Sequence, residues 1–285
     1  MSTLSREVPG RVNPLDRWTV AASNVTFAEK MKAPLRSLLN PGQRRLVKNL
    51  LSPFYRSNLS QLAVLFGTDK ESGHHHYTQH YQRHFEVLRQ EELKILEIGI
   101  GGYDDPRAGG ESLRMWKAYF PKSHIFGVDI YDKACHDETR IKTFRGSQSD
   151  AEFLRRVADE IGTIDIIIDD GSHFNDHVIT TFKILFPLIS PQGIYVVEDT
   201  QTSYWTEVDG VDFGGSSDLT APHTSMSFFK SLIDGLNYEE FTVDGYVPTH
   251  FDKHIVAMHF YRNLVFIYKG LNEEGSFLAG RTLAR

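Results

Sequence analysis

Lys94-Ile95-Leu96-Glu97-Ile98-Gly99-Ile100-Gly101-Gly102 is a short apolar run that breaks into glycine. An apolar run of this length, bounded by turn residues, reads as a buried strand, and glycines after it let the backbone turn tightly and approach a ligand where a side chain would collide. Ser112 to Phe120 then reads as a helix and Ile125 to Asp129 as a second strand. The rhythm continues with a helix from Asp150 to Ile161, a strand made almost wholly of isoleucine from Ile164 to Asp169, a helix from Asp176 to Leu188 and a strand from Gly193 to Glu198. Strands alternating with helices predict an α/β fold: a mostly parallel sheet with helices on both faces. His254 to Phe260 and Leu264 to Lys269, turned at Arg262-Asn263, predict a C-terminal antiparallel hairpin. Between these, Met226 to Leu236 reads as helix, and Thr200 to Ser225, rich in Gly, Ser, Asp and Thr, as a long active-site loop.

Ahead of this region, residues 1–59 read as a helical appendage, with Pro34, Pro41 and Pro53 as helix stoppers, and residues 60–285 as the main domain. Lys30 to Arg56 carries Lys30, Lys32, Arg36, Arg44, Arg45, Lys48 and Arg56, interleaved with leucines, with one acid, Glu29, just before it. Such a segment suits a docking or dimerisation helix with a solvated basic face, and a basic amphipathic helix also suits anionic membranes or acidic glycans. The expected assembly is a homo-oligomer, a dimer or tetramer. Across 285 residues the net charge is -6, which does not supply the basic surface that phosphate neutralisation needs, so no nucleic-acid partner is expected. The single cysteine, Cys135, excludes an intrachain disulfide and a multi-cysteine zinc site, in keeping with a reducing cytoplasm. No apolar run approaches the ~20 residues that span a bilayer, so no transmembrane segment is expected.

The glycine turn departs from the dinucleotide fingerprint G-x-G-x-x-G, because the sixth position counted from Gly99 is Asp104 and a long insertion, Tyr103 to Gly110, precedes the helix. An acidic residue opening the turn suits S-adenosylmethionine instead, whose cationic amino-acid end needs a carboxylate nearby. Glu97 is the candidate for that end, with Gly99, Gly101 and Ser112 around it. Asp129, at the tip of the second strand, is placed to accept hydrogen bonds from ribose hydroxyls. Gln148 and Ser149 are candidates for the adenine edge, while Asp150 suits a helix cap. Consecutive His74-His75-His76 do not easily aim three rings at one ion, so they read as solvated histidines.

Two acidic pairs close strands further on, Asp169-Asp170 and Glu198-Asp199. Neighbours on a strand point to opposite faces, so one member of the first pair should enter a site at the strand ends. If the two strands are adjacent, carboxylates converge, and oxygen donors suit a hard ion such as Mg2+. His173, three residues beyond Asp170, is suited to remove a hydroxyl proton near neutral pH. His177 reads as support or surface.

Taken together, Gly67-Thr68-Asp69-Lys70 with Tyr77-Thr78, Leu96-Glu97-Ile98-Gly99, Asp169-Asp170-Gly171-Ser172-His173 and Val197-Glu198-Asp199-Thr200-Gln201 resemble the Mg-dependent sugar O-methyltransferases that act on macrolide sugars, and related actinobacterial enzymes that methylate mannose or rhamnose in glycans, including methylmannose polysaccharides. The resemblance runs from about Gly67 to Lys269 and implies a Rossmann-like class I methyltransferase fold. It further implies Asp170, Glu198 and Asp199 as metal ligands, His173 as base, Thr68 and Tyr77 closing over the methionyl end of S-adenosylmethionine, and a sugar-containing small molecule or oligosaccharide as acceptor. The macrolide enzymes carry a larger N-terminal domain. Tyr204 and Trp205, following the second acidic pair, are candidates to stack on a sugar ring. A catechol or phenol acceptor, or a donor-binding module without turnover, are the competing readings.

Overall fold

The computed structural model describes residues 39–71 and 75–276, and the chain divides into two compact units, Met1–Arg89 and Gln90–Arg285. In the first unit, α1 (Pro41–Tyr55) starts at an Asn40 cap whose side chain accepts from Gln43 N–H, with the Gln43 side chain closing a capping box. Pro41 therefore opens a helix instead of stopping one, since the first turn needs no N–H from it. Pro53 lies inside the same helix. Lys48 Nζ donates to the carbonyl of Phe66 at 2.5 Å, tying α1 to the end of α2 (Leu59–Phe66). Gly67, in the left-handed conformation at φ 86°, ends α2, and α3 (Thr78–Phe85) follows. Leu46, Leu50 and Phe54 are exposed on α1. Lys30, Lys32, Arg36 and Pro34 lie outside the described residues, as does His74; His75 stacks on Tyr77.

In the second unit the described residues form a seven-stranded sheet in the order β3-β2-β1-β4-β5-β7-β6. The strands are β1 (Lys94–Ile98), β2 (His124–Asp129), β3 (Ile141–Arg145), β4 (Ile164–Asp169), β5 (Ile189–Glu198), β6 (Ile255–Tyr261) and β7 (Leu264–Lys269). The first five run parallel; β7 pairs antiparallel with both β5 and β6. The helices are α4 (Glu111–Tyr119), α5 (Ala151–Ile161), α6 (Asn175–Leu185), α7 (Ser225–Ser231) and α8 (His250–His254). The predicted α/β sheet with its antiparallel hairpin is the observed one. Asn263 supplies the positive φ, 61°, that the hairpin turn requires.

Three local differences have physical causes. β3 is an outer strand with only Ile141 buried, so its sequence lacks an apolar run. The helix read through Leu188 ends at Leu185 and tightens into a 3-10 turn around Pro187, which has no N–H for an α-helical bond. The long loop read from Thr200 to Ser225 opens with a 3-10 turn, Thr200–Tyr204, because Thr200, Thr202 and Ser203 are buried.

Alternation along β1 divides the buried interior. Leu96 and Ile98 join a core with Leu154 and Val157 of α5, Phe182 and Leu185 of α6, Tyr195, Val197 and Val265. Ile95 and Glu97 point the other way, where Glu97 meets α4. Phe182, fully buried, centres an aromatic cluster: its ring lies 4.9 Å from Phe186, 5.0 Å from Tyr195, 5.2 Å from Phe229 and 5.4 Å from Phe251. Truncating it, Phe182→Ala, is expected to cost about 3–5 kcal/mol, measured by urea denaturation; a loss under 1 kcal/mol would mean that α6, α7 and α8 do not share one core.

Candidate active site

β1 and β4 are neighbours whose last residues, Ile98 and Asp169, pair directly. The sheet grows outward from them in opposite directions, and at such a switch point an open α/β sheet leaves a crevice beyond its strand ends. The two chains stay in contact as they leave the sheet: Asp170 N–H donates to the Ile98 carbonyl at 2.9 Å. Gly99 follows at φ 88°, and a Cβ there would overlap the Asp170 carbonyl oxygen. Only glycine satisfies both conditions.

Past this crossing, Asp170, His173 and Asp199 come together with ligand atoms all within 4.8 Å of one another. His173 Nε2 lies 3.9 Å from Asp170 Oδ1 and 3.8 Å from Asp199 Oδ2, and all three side chains are partly buried. Asp170 and His173 arrive from the loop after β4, Asp199 from the end of β5, the adjacent strand. The backbones of His173 and Asp199 are both left-handed, at φ 59° and 54°, a region that non-glycine residues seldom occupy. Glu198, last residue of β5, is buried opposite Leu264 and is not a member of the three-residue cluster.

Asp169 takes the opposite direction from Asp170. It is buried, accepting from Tyr195 Oη at 3.2 Å and from Gln148 Nε2 at 3.1 Å. Burial pushes its carboxyl up to about 7, against the pull of His173 and of these two hydrogen bonds, with Asp170 adding to the rise. Burial likewise holds the Tyr195 phenol well above its usual range.

At the other side of the crevice, Glu97 is buried and accepts from Ser112 Oγ at 2.7 Å and from Trp116 Nε1 at 3.2 Å, both on α4. Asp129 accepts from the N–H of Ile100 at 3.0 Å and of Tyr131 at 2.9 Å, so it ties the glycine turn to the end of β2. Gly101 has φ 77° within that turn. Gln148 is buried and turned toward Asp169, Thr181 and the Ser172 N–H, so its amide is engaged inside the protein and not held out at a loop edge. Ser149 is exposed, with its hydroxyl 2.8 Å from that of Ser147. Asp150 caps α5 through the N–H groups of Glu152 and Phe153. Thr68 and Tyr77 belong to the first unit, where Thr68 N–H donates to Ala63 and Tyr77 N–H to Lys70. Tyr204 and Trp205 are exposed, with Trp205 6.1 Å from the Phe213 ring and Phe213 5.4 Å from Phe174.

Sequence reasoning passed over two side chains that shape the surroundings. Asn175, buried at the start of α6, donates to the carbonyls of Phe213 and Thr202 and accepts from Ser203 Oγ and Ser225 N–H. It thereby fastens the 200–225 segment to the helix that follows His173. Lys133, also buried, donates to the carbonyls of Asp105 at 2.8 Å and Ala108 at 3.2 Å, closing the insertion after the glycine turn. An asparagine before a helix reads as a cap and a lone lysine as surface, so neither leaves a sequence signal.

Two carboxylates and an imidazole converging at a strand end form a donor set that fits a divalent cation, the carboxylates favouring a hard one. The sheet order and the crevice at its switch point define the class I methyltransferase fold. No protein-family model matches the chain. It is 46% identical over 222 residues to mycinamicin VI 2''-O-methyltransferase of Micromonospora griseorubida, covering 77% of this chain and 54% of that enzyme. It is 47% identical over 215 residues to 8-demethyl-8-alpha-L-rhamnosyl tetracenomycin-C 2'-O-methyltransferase of Streptomyces olivaceus, covering 75% and 55%. Among solved structures, MycE methyltransferase from the mycinamycin biosynthetic pathway with Mg and SAH matches at a TM-score of 0.74 and 45% identity over 79% of this chain and 58% of that one. The same enzyme with Mg, SAH and mycinamycin VI matches at 0.69. The chain is thus a homologue of natural-product sugar O-methyltransferases, and spans little more than half the length of the relatives it matches.

Gly99→Ala is expected to lower stability by about 2–4 kcal/mol through the left-handed φ and the overlap with Asp170. Thermal and urea unfolding would measure it, and a neutral substitution would mean that β1 and β4 separate freely at their ends.

Proposed function

We propose that the protein is an S-adenosylmethionine- and Mg2+-dependent O-methyltransferase acting on a sugar hydroxyl of a glycoside or oligosaccharide. The observation that carries this reading is the gathering of Asp170, His173 and Asp199 at the switch-point crevice. The identity to sugar O-methyltransferases and the Mg and SAH held by MycE support it.

His173 is the base. Its Nε2 lies beside one oxygen each of Asp170 and Asp199, so the imidazole stands next to the proposed metal ligands, in reach of an acceptor hydroxyl brought there. Asp170 and Asp199 hold the cation, with Glu198 as third ligand from the neighbouring position. Bound there, Mg2+ supplies positive charge that makes a nearby hydroxyl more acidic. S-adenosylmethionine supplies an electrophilic methyl, so the protein's contribution is orientation and charge placement and no covalent enzyme intermediate is needed. For the donor, Glu97 serves the cationic end, with Gly99, Gly101 and Ser112 shaping the turn, Asp129 the ribose and Ser149 the adenine side. Tyr204 and Trp205 receive the sugar. Among the described residues no helix is long and apolar enough to cross a membrane. A cytoplasmic homo-oligomer completes the proposal.

With a glycoside acceptor and radiolabelled donor, His173→Ala should lower kcat at least 100-fold, in line with the roughly 10²–10⁴ contributed by a general base. Full turnover in that variant would remove His173 from the chemistry. EDTA should stop transfer and added Mg2+ restore it; transfer that persists after chelation would exclude the cation.

A further inference from the structure

Gln148 lies in the loop after β3, distant in sequence from the acidic cluster, yet its side chain meets three elements around it. Nε2 donates to Asp169 Oδ1 at 3.1 Å and to Thr181 Oγ1 at 3.2 Å, which uses both amide hydrogens. Oε1 accepts the Ser172 N–H at 2.6 Å. The opposite amide orientation would set NH2 against an N–H and a carbonyl against the Asp169 carboxylate, so the network fixes which atom is which. Thr181, on α6, has its hydroxyl 3.0 Å from the Gln148 carbonyl and 2.7 Å from that of His177, and its one proton goes to one of them. The amide also rests on Gly171: a Cβ at that position would overlap Gln148 Oε1. Gln148 is 6% exposed.

We infer that Gln148 is a positioning residue for the loop that presents Asp170 and His173. This rests on His173 being the base and Asp170 a metal ligand, as proposed above. Its amide clamps both sides of that pair of residues: Asp169, immediately before Asp170, and Ser172, immediately before His173. Between the two clamped points the chain must pass through Gly171, the residue small enough to lie under the amide oxygen. His173, left-handed at φ 59°, comes one residue after the held Ser172 N–H, so the clamp bears on where the imidazole lies between the two carboxylates. A buried network in which every amide atom is satisfied gives this loop one conformation instead of several. The acceptor and the donor gain nothing directly from Gln148, which separates this role from that of an adenine contact.

The test compares Gln148→Leu, similar in size but without hydrogen bonds, with Thr181→Val, which removes one anchor of the amide, and with His173→Ala. Each is assayed for kcat, acceptor KM and the affinity for S-adenosylhomocysteine by calorimetry. Gln148→Leu should reduce kcat tenfold or more, leaving acceptor KM within about threefold and S-adenosylhomocysteine affinity within about twofold of the native protein. Thr181→Val should reduce kcat two- to fivefold with the same two quantities unchanged, and it carries the test if Gln148→Leu does not fold. Weakened S-adenosylhomocysteine binding with unchanged kcat would overturn the inference and make Gln148 a donor contact. Full kcat in the folded Gln148 variant, or in Thr181→Val, overturns the positioning role alone when His173→Ala is inactive. Full kcat in His173→Ala overturns the role of the base and the inference with it.

Discussion

Everything at the candidate site depends on β1 and β4 leaving the sheet within a hydrogen bond of each other. The Asp170 N–H to Ile98 carbonyl contact extends the ladder one step past the strand ends, and Gly99 makes room for it. Because the ladder continues to Asp170, the alternation of a strand still applies there, and it sends two consecutive carboxylates to opposite destinations. Asp169 goes into the interior beneath Tyr195 and Gln148; Asp170 goes to the crevice beside His173 and Asp199. If the chains diverged a residue sooner, the second aspartate would be a loop residue with no defined direction. The same crossing places the glycine turn, and through Ile100 the Asp129 carboxylate, on the other side of the crevice.

The sheet was legible because its central strands announce themselves. Ile164 to Asp169 and Lys94 to Ile98 are buried on both faces and are therefore mostly apolar, with Glu97 and Asp169 as buried acids. β3 was not, since an outer strand with one buried residue carries no such demand. At the site, the acids were legible as pairs closing strands, and the adjacency of β4 and β5 brings the second member of each pair to His173. Glu198 and Asp199 illustrate the limit of that reading. A left-handed residue at 199 redirects the chain, and whether one carboxylate or both enter the crevice depends on a dihedral angle that residue types do not state. Gln148 shows the same limit from another side: polar and near a helix start, it has the features of a ligand contact, and only the fold reveals that its partners lie 21, 24 and 33 positions away.

The match covers 77% and 75% of this chain, and the relatives are nearly twice as long as the region they share with it. The fold can thus persist while the material outside the shared region differs. The donor set takes no member from the long segment from Trp205 to Thr224, which is fastened through the Phe213 carbonyl to Asn175 at the start of α6. Such an arrangement lets this surface segment vary on a fixed frame.

His173 and Asp199 both occupy backbone conformations that suit glycine better, at a cost of roughly 1–2 kcal/mol per residue. On the roles proposed for them, heat resistance and turnover compete for the same two codons. Directed evolution scored on thermal survival alone would reward glycine at positions 173 and 199 while discarding the imidazole and the carboxylate, and a library screened that way should hold both positions constant.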